Sequence, residues 1–88
     1  MSLMEIPDLE DRVKQILTNR LGMSAAEITP DSRLVDDLGM DSLDAVELAI
    51  ATERQFGLSI SDEQVAKLVT VADIMKLVQQ LTAERGSA

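Results

Sequence analysis

The sequence predicts an all-α fold, a small four-helix bundle with a short third helix and a long loop between helices 1 and 2, and three observations predict it. Apolar residues recur at helical spacing in separate segments. Residues that cap helix N-termini stand three positions before an acid or amide at Asp41 and Asp44, Ser61 and Gln64, and Thr70 and Asp73. Gly22 and Gly57 fall where two of the apolar patterns stop, as helix-ending glycines do.

In the first helix Asp8, after Pro7, is placed to cap a segment whose apolar positions Leu9, Val13, Ile16, Leu17 and Leu21 share one face. Glu10, Asp11, Lys14, Gln15 and Thr18 read as its solvated side. From Met23 to Met40 the chain makes a long connection punctuated by Pro30, Asp31, Ser32 and Gly39. So long a stretch is not left structureless in a small domain. Ser24 with Glu27 is therefore read as capping a single helical turn, and Ile28, Leu34, Val35 and Leu38 as tacking the segment onto the core.

The second helix is expected from Ser42 to Phe56, and its apolar residues fall in two rows on opposite faces. Ala45, Leu48, Ala49 and Phe56, with Thr52 among them, make one row; Leu43, Val46 and Ile50, flanked by Glu47 and Arg54, make the other. The charged flanks place the second row in solvent, although exposing it forgoes roughly 1.5 to 3 kcal/mol for each large side chain. An apolar strip rimmed by carboxylates is what a docking surface looks like. Leu58 and Ile60 cross back to a third helix, about Asp62 to Leu68, with Val65 and Leu68 inward. A last helix starts at the Thr70 and Asp73 box, its stripe formed by Ile74, Leu77, Val78 and Leu81. No internal repeat or linker divides the chain, so residues 1–88 are read as one domain with an ordered core of about 8–82 and frayed ends at 1–5 and 84–88.

Composition narrows the function. With one Phe and no Trp or Tyr, the core must be aliphatic and soft. There is no cysteine, so no disulfide holds the fold and any thioester sulfur must come from an attached group. There is no histidine, which removes the commonest general base and metal ligand and excludes a Ser-His-Asp arrangement. The chain is therefore not expected to be an enzyme. Its net charge of −8 repels nucleic acid and anionic membranes and points to basic partners. No apolar run approaches the roughly 18 residues of a membrane span, and no signal-peptide pattern opens the chain, so a cytoplasmic location is expected; a monomer is the expected state. Asp36, Asp37, Asp41 and Asp44 lack the alternating ligands and central glycine of a calcium loop, so no metal site is assigned to them.

The stretch Leu38-Gly39-Met40-Asp41-Ser42-Leu43 carries the chemistry. Gly39 permits a tight turn, the Asp41 and Asp44 box starts a helix, and Ser42 then stands exposed in a first turn whose partial positive charge and unpaired N–H groups suit a phosphate. With Asp44 and Glu47 following, this stretch resembles the prosthetic-group site of the acyl carrier proteins, and the resemblance runs from about Leu9 to Leu81. It implies that Ser42 receives 4'-phosphopantetheine from coenzyme A, attached by a phosphopantetheinyl transferase, and that the arm's thiol carries acyl groups as thioesters to fatty-acid or related enzymes. It also implies an interior that opens for an acyl chain, and a second helix that acyl-transferring and chain-elongating partners with basic patches recognise. By that resemblance Asp41, Asp44, Glu47 and Glu53 meet basic residues of partners, while Leu43, Val46, Ile50, Ile60 and Asp62 give apolar and flanking contacts. Glu53 and Asp62 are expected to be the more dispensable. Two residues depart from the family pattern: Thr52, in the inward row, bears on the shape of an acyl pocket, and Arg54, in a usually acidic stretch, bears on the partner set. The rival readings are a carrier of aminoacyl, peptidyl or polyketide units, of which Asp41 disfavours the peptidyl kind, and a helical adaptor whose Ser42 is never modified.

Overall fold

A computed structural model describes residues 9–86. The chain runs through α1 (Leu9–Leu21), a 3₁₀ turn (Ala25–Glu27), α2 (Ser42–Phe56), α3 (Asp62–Ala66) and α4 (Val71–Gly86). α1 packs against α2 and α4, and α3 packs on α2. The expected all-α bundle with its short third helix and long first connection is what forms. The cap at Asp8 and the frayed segments 1–5 and 87–88 lie outside the described residues. α4 continues as helix to Gly86, past the expected limit near 82.

Leu9, Val13, Ile16 and Leu17 of α1 are buried as their spacing required, and they meet Leu48 of α2 and Val71, Ile74 and Val78 of α4 in one aliphatic core. Leu77 and Leu81 are only half-buried, and Val71, which begins α4, takes the place they were given. α3 stops at Ala66 rather than Leu68: Lys67 and Leu68 close tighter bonds to the carbonyls of Gln64 and Val65. The Ser61 and Gln64 box forms in both directions, and Leu68 still packs against the core. Ser24 sits at the cap position of the 3₁₀ turn, but its side chain accepts no capping bond, so the expected Ser24 and Glu27 box is absent there.

The long connection is anchored by backbone. Arg33 and Thr70 form an isolated antiparallel bridge. Leu34 N–H donates to the Val69 carbonyl at 2.8 Å, Val71 N–H to that of Ser32 at 3.0 Å, and Ala72 N–H to that of Pro30 at 2.9 Å. The first turn of a helix always leaves N–H groups without intrahelical partners; in α4 the loop carbonyls take two of them. Asp73 completes the cap, its Oδ2 accepting from Thr70 N–H at 3.0 Å and Val69 N–H at 2.9 Å. These two N–H groups, Thr70 first, hold the Asp73 carboxyl below its ordinary pKa of 3.8.

Burial within the loop follows this anchoring. Ile28, Leu34 and Leu38 are buried as expected, and so is Met40. Val35 is not: it is 64% exposed, because Leu34 takes the inward position at the bridge and the tight turns after it carry Val35 outward.

Ile74→Ala should lower the stability to urea unfolding by about 2 to 5 kcal/mol through the cavity it leaves, whereas Val35→Ala should change it by no more than about 0.5 kcal/mol. The Asp73 carboxylate adds a pH dependence. Its folded pKa is depressed, so its contribution is complete above 3.8 and is lost as pH falls through the lower folded value. Asp73→Asn should therefore be less stable than the native chain at pH 7, and unfolding curves should show the gap narrowing as pH drops below about 4.

Candidate functional site

The site begins with the turn before α2. Asp37 Oδ2 accepts from Arg33 N–H at 2.8 Å and lies 3.4 Å from Arg33 Nε. The backbone N–H, and then the guanidinium, hold the Asp37 carboxyl below its ordinary value. Asp36 also reaches Arg33, at 3.6 Å. These two carboxylates therefore face their own loop. Gly39, at φ 72°, turns the chain through the left-handed region, and Met40 N–H closes the loop on the Leu34 carbonyl at 3.0 Å. Met40 is buried, so the next residues emerge at a fixed point on the surface.

Asp41 is the N-cap of α2. Its Oδ1 accepts from Asp44 N–H at 2.9 Å, and Asp44 Oδ2 accepts from Asp41 N–H at 3.2 Å. The box expected from the sequence is thus complete, and it is made without Ser42. Ser42 is the first residue of α2 and is exposed. Its hydroxyl stands at the positive end of a 15-residue helix, a position that favours an anion. At the other end Gly57, at φ 65°, stops α2 where expected.

Beside Ser42 a groove of about 620 Å³ opens between α2 and α3. Val35, Met40, Ala45, Val46, Val65 and Leu68 give it an apolar lining, and Asp41, Ser42 and Asp62 stand among its lining residues. The part of Val35 in this lining was not foreseen; its position before Asp36 and Asp37, in the most acidic part of the loop, was the available sign that it faces outward. Another cleft, of about 650 Å³, runs along α1 and the 3₁₀ turn and includes no residue of α2. Its walls set the charged Asp11, Arg12 and Lys14 beside Met23 and Ala25, whereas the groove at Ser42 is mainly apolar and is the one better suited to an apolar chain.

The two rows of α2 divide as the charges indicated. Leu48, Ala49 and Thr52 are buried, with Ala45 and Phe56 half-buried. The Thr52 hydroxyl donates to the Leu48 carbonyl at 2.8 Å, which satisfies its one buried polar group within the helix. Leu43, Val46 and Ile50 are 66%, 49% and 41% exposed.

The remaining site candidates are not all equally free. Glu47 lies 3.7 Å from Arg20 of α1. Glu53 Oε2 accepts from Ile60 N–H at 2.7 Å and so fastens the loop after α2. Asp62 is exposed in the first turn of α3. Ser42, Asp41, Asp44, Leu43, Val46, Glu47 and Ile50 gather at one end and along one face of α2, with Asp62 across the groove; Glu53 and Ile60 sit further off, tied to each other. Neither tie could be read from the sequence, since the Arg20 and Glu47 pair spans two helices and the Glu53 bond depends on how the loop returns.

Comparison with known proteins places the chain as a whole. A family model described as "Phosphopantetheine attachment site" matches residues 11–78. The chain is also similar to a protein named "Acyl carrier protein" from Solidesulfovibrio magneticus (strain ATCC 700980 / DSM 13731 / RS-1), with 43% identity over 74 residues, covering 84% of this chain and 95% of that one.

A Cβ on Gly39 would meet no atom within 4 Å, so a substitution there acts through the backbone alone. Gly39→Ala should cost about 1 to 2 kcal/mol from the left-handed conformation, while Gly39→Asn, better suited to that conformation, should recover much of the loss in thermal unfolding.

Proposed function

The chain belongs to the acyl carrier family of phosphopantetheine-attachment domains, and from that premise we propose that Ser42 is the residue that carries 4'-phosphopantetheine. The observation that carries the proposal is the position of its hydroxyl: exposed at the N-terminus of α2, outside the capping bonds that Asp41 and Asp44 make to each other, and at the mouth of the apolar groove. This setting suits the group. The helix end favours the phosphate of a phosphodiester at Ser42 Oγ, and the groove has room beside it for an apolar chain.

The attached group supplies the thiol, absent from the chain itself, on which acyl groups are held as thioesters. The work of the protein's own residues is presentation. The capping box fixes where Ser42 Oγ stands, Gly39 and Met40 fix where α2 begins, and the Leu43, Val46 and Ile50 strip gives partner enzymes a surface to meet. Asp41 and Asp44 put negative charge beside that strip, which favours partners with basic patches, the phosphopantetheinyl transferase first among them. The role is delivery rather than catalysis: the chain has no histidine to serve as a general base and no cysteine to serve as a nucleophile. Fatty-acid or related acyl biosynthesis is the pathway class that fits, with Asp41 before Ser42 as the residue favouring acyl over peptidyl cargo. No helix among the described residues is long and apolar enough to cross a membrane.

Incubation with coenzyme A, Mg²⁺ and a broad-specificity phosphopantetheinyl transferase should add one phosphopantetheinyl group to the intact mass of the native chain and none to Ser42→Ala. Folded, unmodified protein that gains nothing, or a Ser42→Ala chain that gains as much, would refute the assignment.

A further inference from the structure

Charge along the exposed strip of α2 is uneven. At the Ser42 end the carboxylates of Asp41 and Asp44 hydrogen-bond only to each other's backbone N–H groups, and no cation pairs with them among the described residues. Midway, the charge of Glu47 is already met within the chain. Arg20 Nη1 stands 3.7 Å from Glu47 Oε2, with both side chains near half exposure, so the pair lies at the surface where a partner would reach it. At the far end Arg54 is exposed, and no ion pair involves it among the described residues. Arg54 is four residues beyond Ile50, in line with the strip, and roughly 18 Å along the helix axis from Ser42.

We propose that Arg20 and Arg54 are specificity determinants that split the docking face by charge, acidic at the Ser42 end and cationic toward Gly57. This rests on the reading above, in which the strip receives partner enzymes. The partner it fits is a protein whose basic residues face Asp41 and Asp44 and whose surface roughly 18 Å further along α2 is acidic. A uniformly basic surface is penalised twice. Its cation has to displace Arg20 to reach Glu47, and another meets Arg54 as a like charge. Arg20 is invisible to a reading of α2 alone, since it arrives from the end of α1.

The test uses a broad-specificity phosphopantetheinyl transferase with a basic docking surface as probe, and the same enzyme with the basic residue opposite the Gly57 end of α2 changed to Glu. KM for the carrier chain should fall about two- to fivefold with the unaltered transferase in Arg20→Gln and in Arg54→Glu, at low salt, as expected for exposed ion pairs. kcat should be unchanged, since neither residue adjoins Ser42. The Arg20→Gln gain should vanish in a Glu47→Gln background, and the altered transferase should prefer the native chain to Arg54→Glu. Equilibrium binding without coenzyme A, measured by calorimetry on the same proteins, reads docking apart from transfer. If binding shifts as stated while no group is transferred, the Ser42 reading fails and the charge assignment stands. An unchanged or raised KM and Kd in either variant, with melting temperatures confirming the fold, overturns the assignment for that residue. Absence of binding to both transferases overturns it entirely.

Discussion

Three backbone hydrogen bonds between the long loop and the start of α4 determine where everything else in this domain sits. Ser32 and Pro30 supply carbonyls to Val71 and Ala72, and Val69 supplies one to Leu34. They solve two problems together. The N-terminus of α4 has N–H groups that its own helix cannot satisfy, and a loop too long to float free needs fixed points. A buried N–H left without a partner costs about 1 to 3 kcal/mol, so the register between 30–34 and 69–72 is hard to shift. Leu34 enters the core at that register, Met40 closes on its carbonyl, and α2 has to begin where Met40 leaves off.

The same constraint separates the two jobs of α2. Once its start is fixed, Leu48, Ala49 and Thr52 are buried, and Leu43, Val46 and Ile50 stand largely exposed among the described residues. A fold this small would be expected to use every large aliphatic side chain for its core. Leaving three exposed on one helix, next to the exposed Ser42 and an apolar groove, forgoes stability that burial would give, which is the cost the proposed docking surface entails. The internal ties mark which charges are committed to folding. Asp37 and Asp73 hold loop backbone, and Glu53 holds Ile60. Asp41, Asp44 and Asp62 keep their charge near Ser42, in a chain whose excess of acid otherwise only opposes compaction.

The sequence was legible wherever the interaction was local. Capping boxes act over three residues, so Asp41 with Asp44, Ser61 with Gln64 and Thr70 with Asp73 could be read off and all three form. Helical periodicity acts over four; it placed the buried face of α1 and separated the two rows of α2, and the charges of Glu47 and Arg54 told which row faces solvent. The Asp41-Ser42-Leu43 stretch was recognisable for the same reason, being short and continuous. What escaped was decided between segments distant in the chain. Val35 looked like a core residue because an apolar side chain in a loop carries no periodicity to orient it, and only the bridge to Thr70 reveals that Leu34 alone turns inward. Val71 was passed over because the stripe of α4 was counted from Ile74, although the loop carbonyls begin the helix three residues earlier. The Arg20 to Glu47 and Glu53 to Ile60 contacts span 27 and 7 residues, beyond the reach of any local pattern.

Amide hydrogen exchange, followed residue by residue at neutral pH, tests the central constraint most directly. If the bridge fixes the loop, the N–H groups of Leu34, Met40 and Val71 should exchange as slowly as those in the middle of α1 and α4, opening only when the domain unfolds. If those three exchange at the rate of free loop amides while the helices stay protected, the loop is held by its apolar side chains alone, and the position of Ser42 does not depend on the bridge.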